Sequence, residues 1–255
     1  MLTVMRTDPT PNIRPVALIT GAAKRVGATI IRRMHGAGFD LALHYRSSAS
    51  EMEALVAELE ALRPASTLAL QADLADLDAV ATLVPAVIAR YGRLDALVNN
   101  ASSFYPTPLG SIDGMQFDDL MATNARAPLF LAQAAAAHLR ASRGAIVNLV
   151  DIYADRPIRR YLPYCMAKAA LVALTYGLAR ELGPEVRVNA IAPGNIIWSS
   201  NPEKAETLGV VEERTALKRQ GDPDDLAGAA LFLIRDAGYV TGQVLRVDGG
   251  RWLNI

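Results

Sequence analysis

The sequence predicts an α/β fold: one doubly wound domain with a mostly parallel, seven-stranded sheet and helices on both faces. Two observations carry that expectation. Short apolar runs alternate with amphipathic helical stretches from end to end of the chain, the order that builds parallel crossover units. The runs also lack the polar alternation of a half-solvated strand, so they belong to a sheet covered on both sides. With 51% hydrophobic and 20% charged residues over 255 positions, the chain can fill a large core and does not read as disordered or coiled-coil.

Val16–Thr20 (VALIT) forms the first strand and stops at Gly21. Val26, Ile30, Ile31 and Met34 then share one stripe of a helix ending near Ala37. Asp40–Tyr45 is the second strand, Glu51–Leu62 the second helix and Thr67–Gln71 the third strand. A helix over Val80–Tyr91 leads to a fourth strand ending at Leu97–Asn99. The helical region Phe117–Leu139 is broken near Arg126-Ala127-Pro128, because proline cannot donate to the helical ladder. Ala145–Leu149, Pro163–Leu182, Val186–Ala192, Asp224–Ile234 and Val244–Val247 continue as strand, helix, strand, helix and strand. Residues 1–12 read as a polar, Pro-bearing tail before a domain over 13–255. The segment of about 194–222 reads as a substrate lid, since so long a loop in a compact domain is usually functional.

Lys+Arg 26 balances Asp+Glu 26, which argues against a nucleic-acid binder. The single cysteine, Cys165, excludes an intrachain disulfide and a thiolate metal cluster and fits a reducing cytoplasm. His35 and His138 have no partner at ligand spacing, so no metal site is expected. The N-terminus lacks the apolar core of a signal peptide, and the longest apolar stretches, such as those around Leu129–Leu139, read as too short and interrupted to cross a bilayer. The expectation is a cytoplasmic protein without nucleic-acid or membrane partners.

The first strand runs into Gly21-Ala22-Ala23-Lys24-Arg25-Val26-Gly27 and then a helix. Glycines at a first strand–helix crossover let backbone N–H groups approach a diphosphate at the helix N-terminus, the arrangement of a Rossmann-type dinucleotide site. The second strand exits as His44-Tyr45-Arg46-Ser47-Ser48, with no acid to hold ribose hydroxyls. Arg46 and Ser47 suit a 2′-phosphate, which favours NADPH over NADH. Arg25 can add charge.

Tyr164 and Lys168 stand at i and i+4 on a helix face. A nearby ammonium favours the phenolate, so Lys168 is expected to lower the Tyr164 pKa and make the pair an acid and proton relay. Cys165 points about 100° away and reads as core.

Over nearly its whole length the chain resembles the short-chain dehydrogenase/reductase family. The resemblance lies in TGAAKRVG, QADL (with Asp73 and Leu74), LVNNA (with Asn100 and Ala101), TNARAP (with Asn124), YCMAK, NAIAPG (with Pro193 and Gly194) and VTGQVLRVDGG. It implies that Gly21, Arg25, Val26, Gly27, His44, Tyr45, Arg46, Ser47, Asp73, Leu74, Asn100, Ala101, Ser102, Tyr164, Lys168, Pro193 and Gly194 bind the dinucleotide and that Asn124, Tyr164 and Lys168 are three members of a catalytic tetrad. The fourth is normally a serine thirteen residues before the tyrosine, and here that position is Asp151. A carboxyl group is a poor partner for a ketone but suits a basic nitrogen heterocycle. Arg25 in place of the usual middle glycine, the HYRSS strand exit and the run Ser102-Ser103-Phe104-Tyr105 resemble the pteridine reductase branch. That branch implies that Phe104 stacks on a pterin against the nicotinamide, and that Arg25 and Ser102 contact substrate, cofactor phosphate or both. On its own, Phe104 reads equally well as a loop aromatic packed under the lid.

The reading is an NADPH-dependent reductase of pterins, with folate or dihydrofolate as further substrates. Two alternatives stay open: a carbonyl reductase acting on 3-oxoacyl thioesters, and a non-catalytic NADPH-binding sensor. The family resemblance implies a homotetramer assembled partly through the Pro163–Leu182 helix and the C-terminal segment.

Overall fold

The computed structural model describes residues 14–196 and 208–254. The predicted tail 1–12 and part of the predicted lid lie outside them. Seven strands, β1 Val16–Ile19, β2 Asp40–Tyr45, β3 Thr67–Gln71, β4 Ala96–Asn99, β5 Ala145–Leu149, β6 Arg187–Pro193 and β7 Val244–Val247, form one sheet in the order β3-β2-β1-β4-β5-β6-β7. Every neighbouring pair is parallel, so the expected mostly parallel sheet is wholly parallel. The chain steps outward from β1 to β3 and restarts at β4 beside β1. Helices therefore diverge to opposite faces at the β1/β4 junction, which leaves a crevice beyond the carboxyl ends of those strands.

Helices α1 Arg25–Gly36, α2 Ala49–Leu62 and α8 Pro223–Leu231 cover one face, where Ile30, Ile31, Met34, Met52 and Leu226 join one apolar layer. Helices α3 Leu77–Tyr91, α5 Ala127–Ser142 and α6 Leu162–Leu182 cover the other, with Val84, Val87, Leu131, Leu139 and Leu182. Truncating any such fully enclosed side chain to alanine costs roughly 2–5 kcal/mol. The inner strands are buried on both faces, whereas β3 and β7, at the sheet edges, are half exposed.

The predicted break in the fourth helical region is a widened turn rather than a stop. Helix α4 (Gly114–Met121) opens with a capping box between Asp113 and Gln116 and passes through a π-helical turn, Ala122–Arg126, into α5. Pro128 cannot donate to the carbonyl of residue 124 and crowds it, so the preceding turn widens; the Ala127 N–H bonds Ala122 five residues back. Helix α6 corrects the view that no apolar stretch is long enough to span a bilayer, because by length and composition alone it is. In this fold it is a core helix: Tyr164, Lys168, Leu171 and Thr175 form its buried stripe. Within the predicted lid region the chain forms a short helix, α7 (Leu208–Arg214). The base of that region is closed by an Ile196–Gly221 bridge, with the Gly221 N–H on the Asn195 carbonyl at 2.9 Å.

Candidate active site

The crevice at the sheet's carboxyl end is a cleft of about 990 Å3. Of the sequence-predicted site residues, Gly21, Arg25, Val26, Gly27, His44, Tyr45, Arg46, Ser47, Asp73, Leu74, Asn100, Ala101, Ser102, Phe104, Asp151, Tyr164, Lys168 and Pro193 line it. Asn124 and Gly194 stand behind its wall.

At one end the cleft is made by backbone. Gly21 has φ +65°, and a Cβ there would lie 2.8 Å from the Ala101 Cα. On Gly27 a Cβ would lie 2.2 Å from the Gly21 carbonyl oxygen, so only glycine lets the helix start so close to the strand end. Thr20 and Asn100 tie β1 to β4: Asn100 Nδ2 donates to the Thr20 and Gly21 carbonyls at 2.8 and 3.0 Å, and the Ala101 N–H donates to Thr20 Oγ1 at 3.0 Å. No side chain caps α1, and its first turn borders the cleft where an anion is favoured. The residues present therefore fit the diphosphate of a dinucleotide. Arg25 occupies left-handed backbone at φ +53°, a conformation that favours glycine.

His44, expected at the cofactor, lines the cleft and also braces the glycine turn. It is buried, and its Nε2 faces the Ala72 carbonyl at 3.1 Å, so that nitrogen carries the proton. Nδ1 then accepts the Gly21 N–H at 3.3 Å. Burial lowers its pKa, which keeps the ring neutral. His44 thus pins the glycine turn to β2 and has no ring nitrogen left for a ligand. Arg46 and Ser47 are exposed at the exit of β2, and Arg46 makes no ion pair among the described residues. Lys24, which also lines the cleft, is paired with Glu51 at 2.6 Å. The Asp73 carboxylate accepts the Ala75 N–H at 2.9 Å, and Gly194 packs against Asp248, where a Cβ would meet the Asp248 Cβ at 2.6 Å.

At the other end the cleft is made by side chains. Asp151 is buried just past β5 and accepts two bonds: Tyr164 Oη at 2.6 Å and the Tyr153 N–H at 3.0 Å. Lys168, also buried, donates from Nζ to the Leu149 carbonyl at 2.8 Å, and Nζ lies 5.7 Å from the Tyr164 ring centroid. Burial raises the Asp151 pKa, against the Tyr164 hydroxyl, the Tyr153 N–H and the Lys168 charge. Burial lowers Lys168 to about 8, with Asp151 opposing. The expectation that Lys168 depresses Tyr164 is overturned: burial and the neighbouring Asp151 carboxyl push the phenol well above its ordinary value. The site shares a hydrogen bond between a phenol and a carboxyl group, beside an ammonium whose pKa burial lowers to about 8.

Asn124 sits in the π-helical turn, fully buried, with its side chain fully engaged. Nδ2 donates to the Ser103 and Leu120 carbonyls at 3.0 and 2.9 Å, and Oδ1 accepts from Ser102 Oγ at 2.7 Å. Its contacts fix the loop that follows β4. Phe104 on that loop is partly exposed, and its ring stacks on Tyr161 with centroids 4.6 Å apart and planes 11° from parallel. Sequence reasoning missed Tyr161; an aromatic three residues before Tyr164, at the start of α6, was the available signal. Cys165 is buried against Leu120 and Tyr164, as core.

A wholly parallel sheet in this order, with a glycine cradle beside a buried Tyr–Lys pair, is the framework of a dinucleotide-dependent oxidoreductase class. Residues 21–251 match the family model described as enoyl-(acyl carrier protein) reductase, and the chain belongs to the short-chain dehydrogenase/reductase family. It is similar to pteridine reductase 1 of Leishmania tarentolae, with 36% identity covering 96% of this chain and 98% of that protein. It is similar at 33% identity to the 3-oxoacyl-[acyl-carrier-protein] reductase of Staphylococcus aureus, over 93% of this chain and 98% of that one. Among solved structures it resembles a blue fluorescent protein from a metagenomic library in complex with NADPH, at TM-score 0.88 and 38% identity, covering 94% of this chain and 99% of that one.

Proposed function

We propose that the protein is an NADPH-dependent pteridine reductase, reducing a C=N bond of a dihydropterin or oxidised pterin, with folate and dihydrofolate as candidate substrates. The observation that carries this reading is Asp151, a buried carboxyl group bonded to Tyr164 at 2.6 Å where the family resemblance calls for a serine hydroxyl. Protonated, as burial favours, the carboxyl can donate to a ring nitrogen, and its other oxygen can accept from the ring N–H or amino group of a pterin; a 3-oxoacyl ketone has no such donor to offer it. Similarity to a named pteridine reductase supports the reading.

Gly21, Val26 and Gly27 would cradle the diphosphate, Arg46 and Ser47 the 2′-phosphate, and Asp73, Leu74, Asn100, Ala101, Pro193 and Gly194 the rest of the dinucleotide or its backbone frame. Bound NADPH supplies the hydride for the C=N carbon. The Asp151–Tyr164 pair delivers the proton to the adjacent nitrogen, and Lys168 holds positive charge beside that pair. Phe104, partly exposed in the cleft wall, would stack on the flat substrate, with Ser102 and Arg25 at its rim. Asn124 fixes the loop carrying Phe104 and Ser102. The protein would act in the cytoplasm as a homotetramer, in which Met166 and Tyr176 on α6 and Leu129 and Phe130 on α5 are exposed side chains that a subunit contact would cover.

The second reading, a 3-oxoacyl-thioester reductase, is favoured by the similarity at 33% to such an enzyme and opposed by Asp151. A non-catalytic sensor has no use for the buried Asp151, Tyr164 and Lys168, whose desolvation is costly. Turnover with NADPH against dihydrobiopterin, folate and an acetoacetyl thioester separates the three. The proposal expects the pterin to be turned over fastest; a preference for the thioester, or no turnover, contradicts it.

A further inference from the structure

We infer that Tyr161 is a positioning residue for the substrate ring, acting through Phe104; this rests on the pteridine reading above. The observations are geometric. Phe104 is 46% exposed, yet one face is covered by the nearly parallel Tyr161 ring and it meets Tyr164 at 4.7 Å with an interplanar angle of 73°. Phe104 has one face on Tyr161 and nearly half of its surface exposed in the cleft wall, so a planar substrate would stack on its side away from Tyr161, in the order Tyr161, Phe104, substrate.

The backbone fixes this assembly from both sides. Thr107, fully buried, donates its N–H to the Arg160 carbonyl at 2.6 Å, and residues 107 and 161 form a parallel bridge. Arg160 sits at φ +71°, a strained conformation for a side-chain-bearing residue, kept only where its surroundings over-determine it. That bridge staples the loop after β4, which carries Ser102 and Phe104, to the segment after β5 that leads from Asp151 to Tyr164. The aromatic wall and the proton-donating pair are therefore set at a fixed mutual distance, and Tyr161 is the ring that joins them. A rigid flat wall rewards a flat heteroaromatic ring; a flexible acyl chain gains little from it.

The test is steady-state kinetics of wild type, Tyr161→Ala and Tyr161→Phe with a dihydropterin, with the NADPH dissociation constant measured directly. Losing an aromatic pair should raise the dihydropterin KM roughly three- to tenfold in Tyr161→Ala, with a smaller change in kcat. NADPH binding should hold, and Tyr161→Phe, which keeps the ring, should restore the KM. An unchanged KM in Tyr161→Ala overturns the inference. So does a parallel loss of kcat and NADPH affinity, or failure of Tyr161→Phe to rescue, since either outcome makes the residue merely structural or its hydroxyl the active part. If wild type reduces the thioester and not the dihydropterin, the pteridine reading falls and the inference with it, an outcome visible before any variant is made.

Discussion

The two ends of the cleft are built differently. The glycine end is backbone: Gly21 and Gly27 in contact distance, Asn100 and Thr20 bridging two strands, His44 holding the turn from below. The Asp151 end is side chain: a carboxyl group, a phenol, an ammonium and two stacked rings brought in from β4, β5 and α6. The geometry that fits a dinucleotide is made of main chain, and at Gly21 and Gly27 it leaves no room for a side chain. The proposed substrate chemistry rests on side chains, Asp151 among them, which can be exchanged one at a time. Variants at the two ends should therefore fail in different ways.

The largest effect belongs to the side-chain end. Tyr164→Phe keeps the ring against Phe104 and removes the hydroxyl that bonds Asp151. If the pair works as a proton donor, kcat should fall roughly a hundredfold or more with NADPH binding retained, as rapid kinetics and binding titration would show. Near-normal turnover would assign the proton to Asp151 alone or to water.

Arg46→Ala probes the cofactor end. Losing a charge-assisted bond costs about 1.5–3 kcal/mol, so NADPH should bind roughly ten- to a hundredfold more weakly while NADH hardly changes. Equal loss for both cofactors would make Arg46 a structural residue.

The smallest effect concerns Arg25, where the two ends meet. Its φ of +53° costs about 1–2 kcal/mol for an ordinary residue. Arg25→Gly should raise the melting temperature by roughly 2–4 °C per kcal/mol recovered while weakening pterin or NADPH binding. A variant that gains stability with unchanged binding would leave Arg25 no part in the site.

The backbone end was legible in the sequence because its rules are local. A strand stopping at Gly21, a second glycine six residues on and an acid-free strand exit name their positions within a few residues, and all line the cleft. The alternation of runs gave all seven strands for the same reason. The bracing part of His44 was not legible, because it depends on the Ala72 carbonyl across the sheet, a contact no local pattern encodes. Tyr164 and Lys168 were found by helical spacing, but the direction of the Tyr164 shift was not, since burial and the Asp151 carboxyl outweigh an ammonium that spends its bond on Leu149. Tyr161 escaped because its partner is 57 residues earlier in the chain, on another loop. The widened turn at Asn124 is the consequence of a proline four residues ahead, and the break was placed near the proline rather than at the turn that absorbs it.

The central claim is that Asp151 serves as a proton-donating carboxyl group. It is tested most directly by kcat/KM for a dihydropterin across a range of roughly pH 4.5 to 8.5, spanning carboxyl and lowered lysine titrations, in wild type and Asp151→Ser. Burial raises the Asp151 pKa and lowers Lys168 to about 8, so the useful forms, protonated Asp151 and charged Lys168, coexist on the acid side. Wild-type activity should be highest there and fall as pH rises, as Asp151 loses its proton and, near 8, as Lys168 does. Asp151→Ser should lose most of its dihydropterin activity and the fall due to Asp151. It should keep the fall due to Lys168 at a lower pH, because the carboxylate that supports the lysine charge is gone. A mutant that retains the wild-type rate and pH profile would contradict the claim.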